Sequence, residues 1–441
     1  MELNRSKILR FAIIGLITMF IFSLFFPIRI LIPSSTSNLL GSFSDFTAIW
    51  LYLSDILLFL ILLIAFLTKS VKISKDYLKI SLVIITILCF FSYLSGFLSI
   101  NAYWVLKFIE LGVLFWITSN LSLKYEVYLK FGIKVFVVFA VFQSLLAISQ
   151  HFSGQSLGLY LLGESHLSTT WYQIAKVVAH GTTYLRGYGT FPHPNVLSAY
   201  IFTAILWNIW LLHHVVERKM AYIWLISLIT LITGLFATFS RGGIIALVIS
   251  ISIVILFHKF RNLLKTALTR LILPLAIGFL LSIGLFYQFF SPRGGISTES
   301  IAERAIYNQT ALKIISNIPL TGVGLGESML HMEQYSPVKL EAWQIQPIHN
   351  YFLLAASEGG IIFALALLSI FLYFLVNLGR SIWNNPKGDR AILKVTLFAI
   401  LLGYLFLMQF DHYFYTLQQT QFLLWIILGL ISAELKRKQA I

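Results

Sequence analysis

The sequence predicts an all-α, polytopic membrane protein of about twelve transmembrane helices. Three observations carry that reading. Apolar residues make up 58% of the 441 residues and charged residues only 11%, about half the charge of a soluble domain. The apolar residues come in long runs, such as 53–67, 80–94, 221–236 and 271–290, on the scale of the roughly 20 residues that cross a bilayer. The basic residues gather in every second connection. Twenty-three of the 32 lie at Arg5, Lys7, Arg10, at 69–79, 124–134, 218–219, 259–270, 380–394 and 436–438. That is the positive-inside pattern, and it puts both termini in the cytoplasm. The net charge of +15 therefore reads as orientation on anionic lipid, and no nucleic-acid partner is expected.

The spans are predicted near 9–26, 48–67, 79–99, 103–121, 132–152, 194–213, 220–239, 242–258, 271–290, 350–376, 391–410 and 417–433. The first follows a basic N-terminus, has no small-residue cleavage site and reads as a retained helix. In lipid the backbone must satisfy itself within each segment, which favours helices; the short alternating strands of a barrel are not seen. The single cysteine, Cys89, allows no intrachain disulfide. The whole chain, 1–441, reads as one transmembrane domain with two long extracytoplasmic loops, 153–193 and 291–349. Loops of that length are uncommon unless functional. Within the first, 171–180 is predicted as a short interfacial helix. The second, which precedes the tenth helix, contains Ser291-Pro292-Arg293-Gly294-Gly295, a helix-like stretch over 301–317, then Pro319 and a glycine-rich turn. No internal repeat supports an inverted-repeat transporter.

Nine basic residues fall outside the orientation clusters: Arg29, Lys107, Lys176, Arg186, Arg241, Arg293, Arg304, Lys313 and Lys339. Arg241 is the sharpest, in Thr238-Phe239-Ser240-Arg241-Gly242-Gly243 between two apolar runs. A charge near membrane depth costs about 2.5–3.5 kcal/mol on insertion scales and usually faces a cavity or partner. The adjacent glycines leave room for an anion, and a guanidinium suits phosphate oxygens. Snorkelling to headgroups is the competing reading. Arg186 opens Arg186-Gly187-Tyr188-Gly189-Thr190-Phe191-Pro192-His193-Pro194-Asn195, a tight entry to a helix with Asn195 as its expected cap; here His193 reads as structural. Arg304 beside Glu303 reads alone as a solvated charge. Gly322-Val323-Gly324-Leu325-Gly326 resembles a dinucleotide loop but lacks a preceding strand, and it reads as a turn that brings backbone close to a partner.

His349-Asn350 opens the tenth helix, with Glu358, Gly359 and Gly360 farther along. A helix N-terminus favours an anion and lowers a histidine pKa, so that a neutral imidazole can serve as a general base. A capping or interfacial histidine is the alternative. Asp411-His412-Tyr413 forms the last outer turn and either orients a base, binds sugar hydroxyls or is merely solvated. No metal-ligand spacing is evident, and no metal or cofactor is expected. Trp171, Tyr172, Tyr188, Trp343 and Tyr351 are suited to stack on sugar faces or to mark the interfacial aromatic belt.

Taken in order, 186–195, Ser240-Arg241-Gly242-Gly243, Arg304 ahead of Pro319-Leu320-Thr321-Gly322-Val323-Gly324-Leu325-Gly326, and His349-Asn350 followed by Glu358-Gly359-Gly360 resemble the O-antigen ligase and O-antigen polymerase superfamily of bacterial membrane glycosyltransferases. The resemblance covers roughly 80–430. It implies a GT-C-like bundle in the bacterial cytoplasmic membrane with its active site on the extracytoplasmic side. It also implies an undecaprenyl diphosphate-linked glycan donor and a glycan or lipid-linked acceptor. By the same resemblance, Arg241 and Arg304 bind the diphosphate and His349 activates the acceptor hydroxyl, with Arg186, Asn195, Asn350, Glu358 and Asp411 as substrate-binding candidates. The residues Ile361, Ile362 and Phe363 after Gly360 depart from the ligase pattern and leave ligase or polymerase open. Such a transfer needs no metal, because arginines can stabilise the charge developing on the leaving phosphate; direct displacement inverts the anomeric centre. The rival from another class is a flippase or exporter of lipid-linked polysaccharide, whose charges belong in a cavity open to the cytoplasm.

Overall fold

The computed structural model describes residues 2–68, 99–124, 126–171, 174–179, 181–259, 267–286, 298–384 and 389–437. The predicted span at 79–99, Cys89, Tyr172, Arg293 and the stretch Ser291–Gly295 lie outside those residues, apart from Ser99 at the start of a helix. The long helices are α1 (Glu2–Phe25), α2 (Leu53–Leu67), α3 (Ser99–Lys124), α4 (Glu126–Ser153), α5 (Pro194–His214), α6 (Arg218–Ala237), α7 (Arg241–Lys259), α8 (Ala267–Phe286), α9 (Thr298–Asn317), α10 (Tyr351–Asn384), α11 (Asp389–Leu407) and α12 (Gln418–Arg437). All but α9 coincide with a predicted span. Among the described residues, six helices are long and apolar enough to cross a membrane, and four more are apolar but shorter.

Two expectations fail locally. The stretch 171–180 holds no helix among its described residues; Lys176–Ala179 instead pairs antiparallel with Thr182–Leu185. The predicted helix at 48–67 begins only at Leu53, because Ile49–Tyr52 pairs with Arg29–Ile32. Both segments are rich in Val, Ile, Leu and Tyr, which fit a pleated ribbon as well as a helix.

The sequence reading treats the chain as one domain; its residues group into two compact units, each assembled from three stretches. The first comprises Met1–Ile28, Lys124–Gly295 and Leu378–Phe406. Its centre is α5, where every side chain from Val196 to Leu211 is buried, as expected of a helix that is apolar all round. Tyr200 stacks on Phe136 at 5.8 Å and meets Phe25 edge-on at 5.0 Å, and its neighbour Thr203 shares a 2.6 Å hydrogen bond with the Tyr404 hydroxyl. The irregular run after Arg186 lies on α4 through two buried amides. Gln143 accepts from Thr190 N at 2.9 Å and donates to its hydroxyl at 2.8 Å. Gln150 accepts from the Tyr188 and Gly189 amides at 3.0 and 2.8 Å. Non-helical backbone beside apolar helices is thereby satisfied inside the protein.

The second unit comprises Arg29–Leu123, Ile296–Asn377 and Leu407–Ile441. It contains the glycine turn and α10, which breaks at Gly360 (φ 82°, ψ 168°). The break exchanges hydrogen-bond partners. Ile361 N donates to Pro319 O at 2.8 Å, while the Ser357 and Glu358 carbonyls accept from Val323 N at 2.9 Å and Gly324 N at 3.0 Å. The partner that the glycine turn approaches is thus the protein's own helix. A Cβ at Gly360 would lie 2.0 Å from Leu320 O, whereas at Gly112 in α3 it would meet open space. Gly360→Ala is therefore expected to lower stability by at least about 1–3 kcal/mol in thermal unfolding of the purified protein, and Gly112→Ala to be neutral or slightly stabilising. Equal melting of the two variants would contradict the role given to the break.

Candidate functional site

The isolated basic residues sort into two kinds. Four have partners within the protein. Arg29 pairs with Asp45 at 3.0 Å and stacks 3.8 Å over Trp50. Lys107 is buried between Asp55 at 2.8 Å and Glu110 at 2.9 Å. Lys176 donates to the Trp171 and Thr169 carbonyls. Arg186 donates through Nε to Thr238 O and through an Nη to Asn195 Oδ1, each at 2.8 Å. Among the described residues, Arg241, Arg304, Lys313 and Lys339 show neither an ion pair nor a side-chain hydrogen bond. Of these, Arg241 and Arg304 are the two that the sequence singles out.

In the first unit, Arg241 is the opening residue of α7 and is exposed. The turn before it is held tightly. Phe239 has φ 50°, Gly187 N donates to Ala237 O at 2.8 Å, and Arg186 ties the Thr238 carbonyl to Asn195. Ser240 Oγ accepts from Gly243 N at 3.3 Å and from Ser198 Oγ at 3.0 Å. The chain thus aims Arg241 by bracing the turn behind it. Two expectations change here. Gly243 leaves no room for an anion, since a Cβ there would lie 2.7 Å from Ser198 Oγ; its smallness serves helix packing. Asn195 is not the cap of α5: His193 Nδ1 accepts from Asn195 N at 3.1 Å, with Pro194 at the first helical position. Arg186 and Asn195 are committed to each other and to the turn, which makes them positioning residues.

In the second unit, His349 lies just before α10. Asn350 caps that helix, its Oδ1 accepting from Phe352 N and Leu353 N at 3.0 Å each. The turn from 407 to 412 is latched to the same helix start: Tyr351 N donates to Met408 O at 2.9 Å and Asn350 Nδ2 to Gln409 O at 3.1 Å. This latch brings Asp411 and His412 to His349. The His349 and His412 rings meet edge-on at 4.9 Å, and Tyr307 of α9 stacks on the His349 ring at 5.4 Å with planes 12° apart. His412 Nδ1 is held by Thr416 Oγ1 at 2.7 Å, and Asp411 Oδ1 accepts from His412 N at 2.9 Å. His349 Nδ1 is buried without a hydrogen-bond partner. Burial pushes the His349 pKa below the ordinary histidine value; Asp411 opposes that shift and Arg304 adds to it. Burial thus favours the neutral imidazole over the imidazolium.

Glu358 differs from its expected role. It is buried, and its carboxylate accepts from Gly326 N and Ser328 Oγ, each at 2.7 Å. It holds the glycine turn against α10. Glu327 is buried nearby, where burial and the charge of Glu358 push its carboxyl up to about 7 against a hydrogen bond from Asn101. Of the aromatic candidates, Tyr351 and Tyr188 are buried and unavailable for stacking on a ligand, whereas Trp171 and Trp343 are open. Sequence reasoning missed Tyr307 and gave His412 no role of its own. Tyr307 was detectable as the i+3 neighbour of Arg304 on one helical face. His412 belongs to a segment about sixty residues from His349, and only the latch unites them. The side chains of His349, Asp411 and His412 offer ligand atoms within 4.8 Å of one another, a trio no local spacing announces.

Two predictions follow from this geometry. Asp411→Asn removes the charge that raises the His349 pKa, so the acid limb of a kcat/KM profile should move to lower pH; an unmoved limb or an upward shift would contradict the assignment of His349 as the titrating group. Arg186→Lys keeps the charge but not the two-way brace, so it should impair activity nearly as much as Arg186→Ala and lower thermal stability. Full activity in the lysine variant would show that charge alone matters there.

A comparison with curated proteins gives no match. Residues 226–368, about a third of the chain, match the family model described as O-Antigen ligase. That segment includes Arg241, Arg304, His349, Asn350 and Glu358. This match supports the resemblance of the motifs to the O-antigen ligase and polymerase superfamily.

Proposed function

We propose that this protein is a glycosyltransferase of the bacterial cytoplasmic membrane. In this reading it moves an oligosaccharide from an undecaprenyl diphosphate-linked donor to a sugar hydroxyl at the extracytoplasmic face, as a polymerase or a ligase. The observation that carries the reading is the His349 imidazole, its charged form disfavoured by burial and its Nδ1 without a hydrogen-bond partner, held between Tyr307 and His412 and within the electrostatic reach of Arg304 and Asp411. The O-antigen ligase match, which spans Arg304, Tyr307 and His349, supports it, and the apolar helices of the chain support a place in a membrane.

The chemistry is a direct displacement. The acceptor oxygen forms a bond to the donor sugar C1 as the bond from C1 to the diphosphate oxygen breaks. The acceptor proton passes to His349, and the electron pair of the broken bond leaves on the diphosphate. Asp411 stabilises the imidazolium that results. Arg304 bears on the developing phosphate charge, and the resemblance gives Arg241 to the diphosphate as well. Preorganised cations in a water-poor site are effective because that charge grows in the transition state. The displacement inverts the anomeric configuration and uses no metal.

Arg241→Ala, Arg304→Ala and His349→Ala should each abolish glycan transfer in membranes while insertion and abundance stay normal. General-base loss alone is expected to cost about 10²–10⁴-fold. Normal product from all three would refute the assignment. Chelation should leave transfer unchanged; loss on chelation with recovery on adding Zn²⁺ or Mn²⁺ would recast His349, Asp411 and His412 as ligands.

A further inference from the structure

The loop after α4 in the first unit contains a hollow that the proposed transfer chemistry does not use. Its open volume is about 430 Å³, and its lining includes Gln155, Ser156, Tyr160, His166 and Trp171. That volume falls in the range of small-molecule sites, about 300–1,000 Å³. The three rings stand in a row. Tyr160 stacks on His166 at 4.0 Å and 25°, and His166 neighbours Trp171 at 6.5 Å. Tyr160 is 45% and Trp171 51% exposed, so large apolar faces are left open beside polar groups.

The walls are built in advance. Glu164 is buried, and its carboxylate accepts from Leu157 N at 2.7 Å, Leu159 N at 2.5 Å and Gln150 Nε2 at 2.8 Å. Ser156 N donates to Leu167 O at 3.1 Å, and Ser156 Oγ lies 3.0 Å from the Tyr160 hydroxyl. Among the described residues no Lys, Arg, Asp or Glu side chain lines the hollow. The nearby Lys176 ammonium is engaged by the Trp171 and Thr169 carbonyls, so the lining itself offers a diphosphate no lysine or arginine. A ligand matched to these walls is neutral, flat-faced and rimmed with hydroxyls. A pyranose has that form: its C–H faces suit aromatic rings, and its hydroxyls suit an amide, a hydroxyl and backbone groups.

We propose that this hollow is a saccharide-binding subsite that holds a neutral portion of the glycan away from the reacting diphosphate. The identity of the saccharide as the enzyme's own glycan rests on the transferase reading; the site itself rests on the rings and their polar rim. Rings that served only as an interfacial belt would face headgroups and would not need a carboxylate-pinned wall with an amide and a hydroxyl at their edge.

The test uses the full-length protein in lipid nanodiscs and, as probe, the oligosaccharide freed by mild acid from the source cell's lipid carriers, with neither diphosphate nor prenyl chain. Saturation-transfer NMR should detect binding to the wild-type protein. Trp171→Ala and Tyr160→Ala should each weaken it by about tenfold, Trp171→Phe should retain most of it, and Leu161→Ala, at a residue 96% exposed and outside the lining, should leave it unchanged. Absence of wild-type binding, or equal binding by wild-type and both alanine variants, would overturn the proposal. So would alanine variants that change only reconstitution, which would assign the rings to the membrane interface. The Arg304→Ala and His349→Ala proteins separate the two readings. If they bind the saccharide but transfer nothing, both stand; if they bind it and transfer normally, the transferase mechanism fails and the subsite survives.

Discussion

A helix in hydrocarbon has no water to accept the backbone groups it exposes when it breaks. Every irregular stretch must therefore find its partners inside the protein. The break of α10 at Gly360 meets that requirement with the glycine turn 322–326. The amides of Val323 and Gly324 take the carbonyls that the break releases, and the Pro319 carbonyl takes the amide of Ile361. Glu358 completes the joint by accepting from Gly326 and Ser328. The loop leading to His349 is thus fixed at both ends, by the turn at its start and by the Asn350 cap at its finish.

That constraint explains why the residues around His349 are well placed for acid–base chemistry. The latch of 407–412 onto the start of α10 delivers Asp411 and His412 without lengthening any loop, and α9 supplies Tyr307 and Arg304 from one face. Burial disfavours the imidazolium, and the opposing effects of Arg304 and Asp411 set how far. In the first unit the same economy appears in another form. Arg186 and Asn195 fix a strained turn so that Arg241 opens α7 with no internal partner among the described residues. A cation left unpaired on an otherwise braced turn is suited to an anionic ligand.

Much of this was legible in the sequence. Apolar run length located eleven helices among the described residues, six of them long and apolar enough to cross a membrane. The cap at Asn350 was not read from the sequence, where that residue stood only as a substrate-binding candidate. The ribbons at 29–52 and 176–185 were not legible, because Ile, Leu, Val and Tyr serve either state and the pairing partner that decides is not announced by local composition. Arg186 and Glu358 were given as ligand groups by the resemblance, because a charge in a motif looks the same in sequence whether it faces substrate or the protein's own backbone. His193 displaced Asn195 as a cap because Pro194 fixed the first turn one residue earlier. The trio of His349, Asp411 and His412 depends on a contact between distant segments that no spacing rule encodes.

The central claim is that a bond is exchanged and not merely a lipid moved. The most direct measurement uses vesicles containing the purified protein, a labelled undecaprenyl diphosphate-linked oligosaccharide and an acceptor glycan. The account predicts that labelled acceptor and free undecaprenyl diphosphate accumulate one for one, and that neither forms with His349→Ala. Label that crosses the bilayer still attached to its carrier, with no free diphosphate released, would contradict it and point to a translocator.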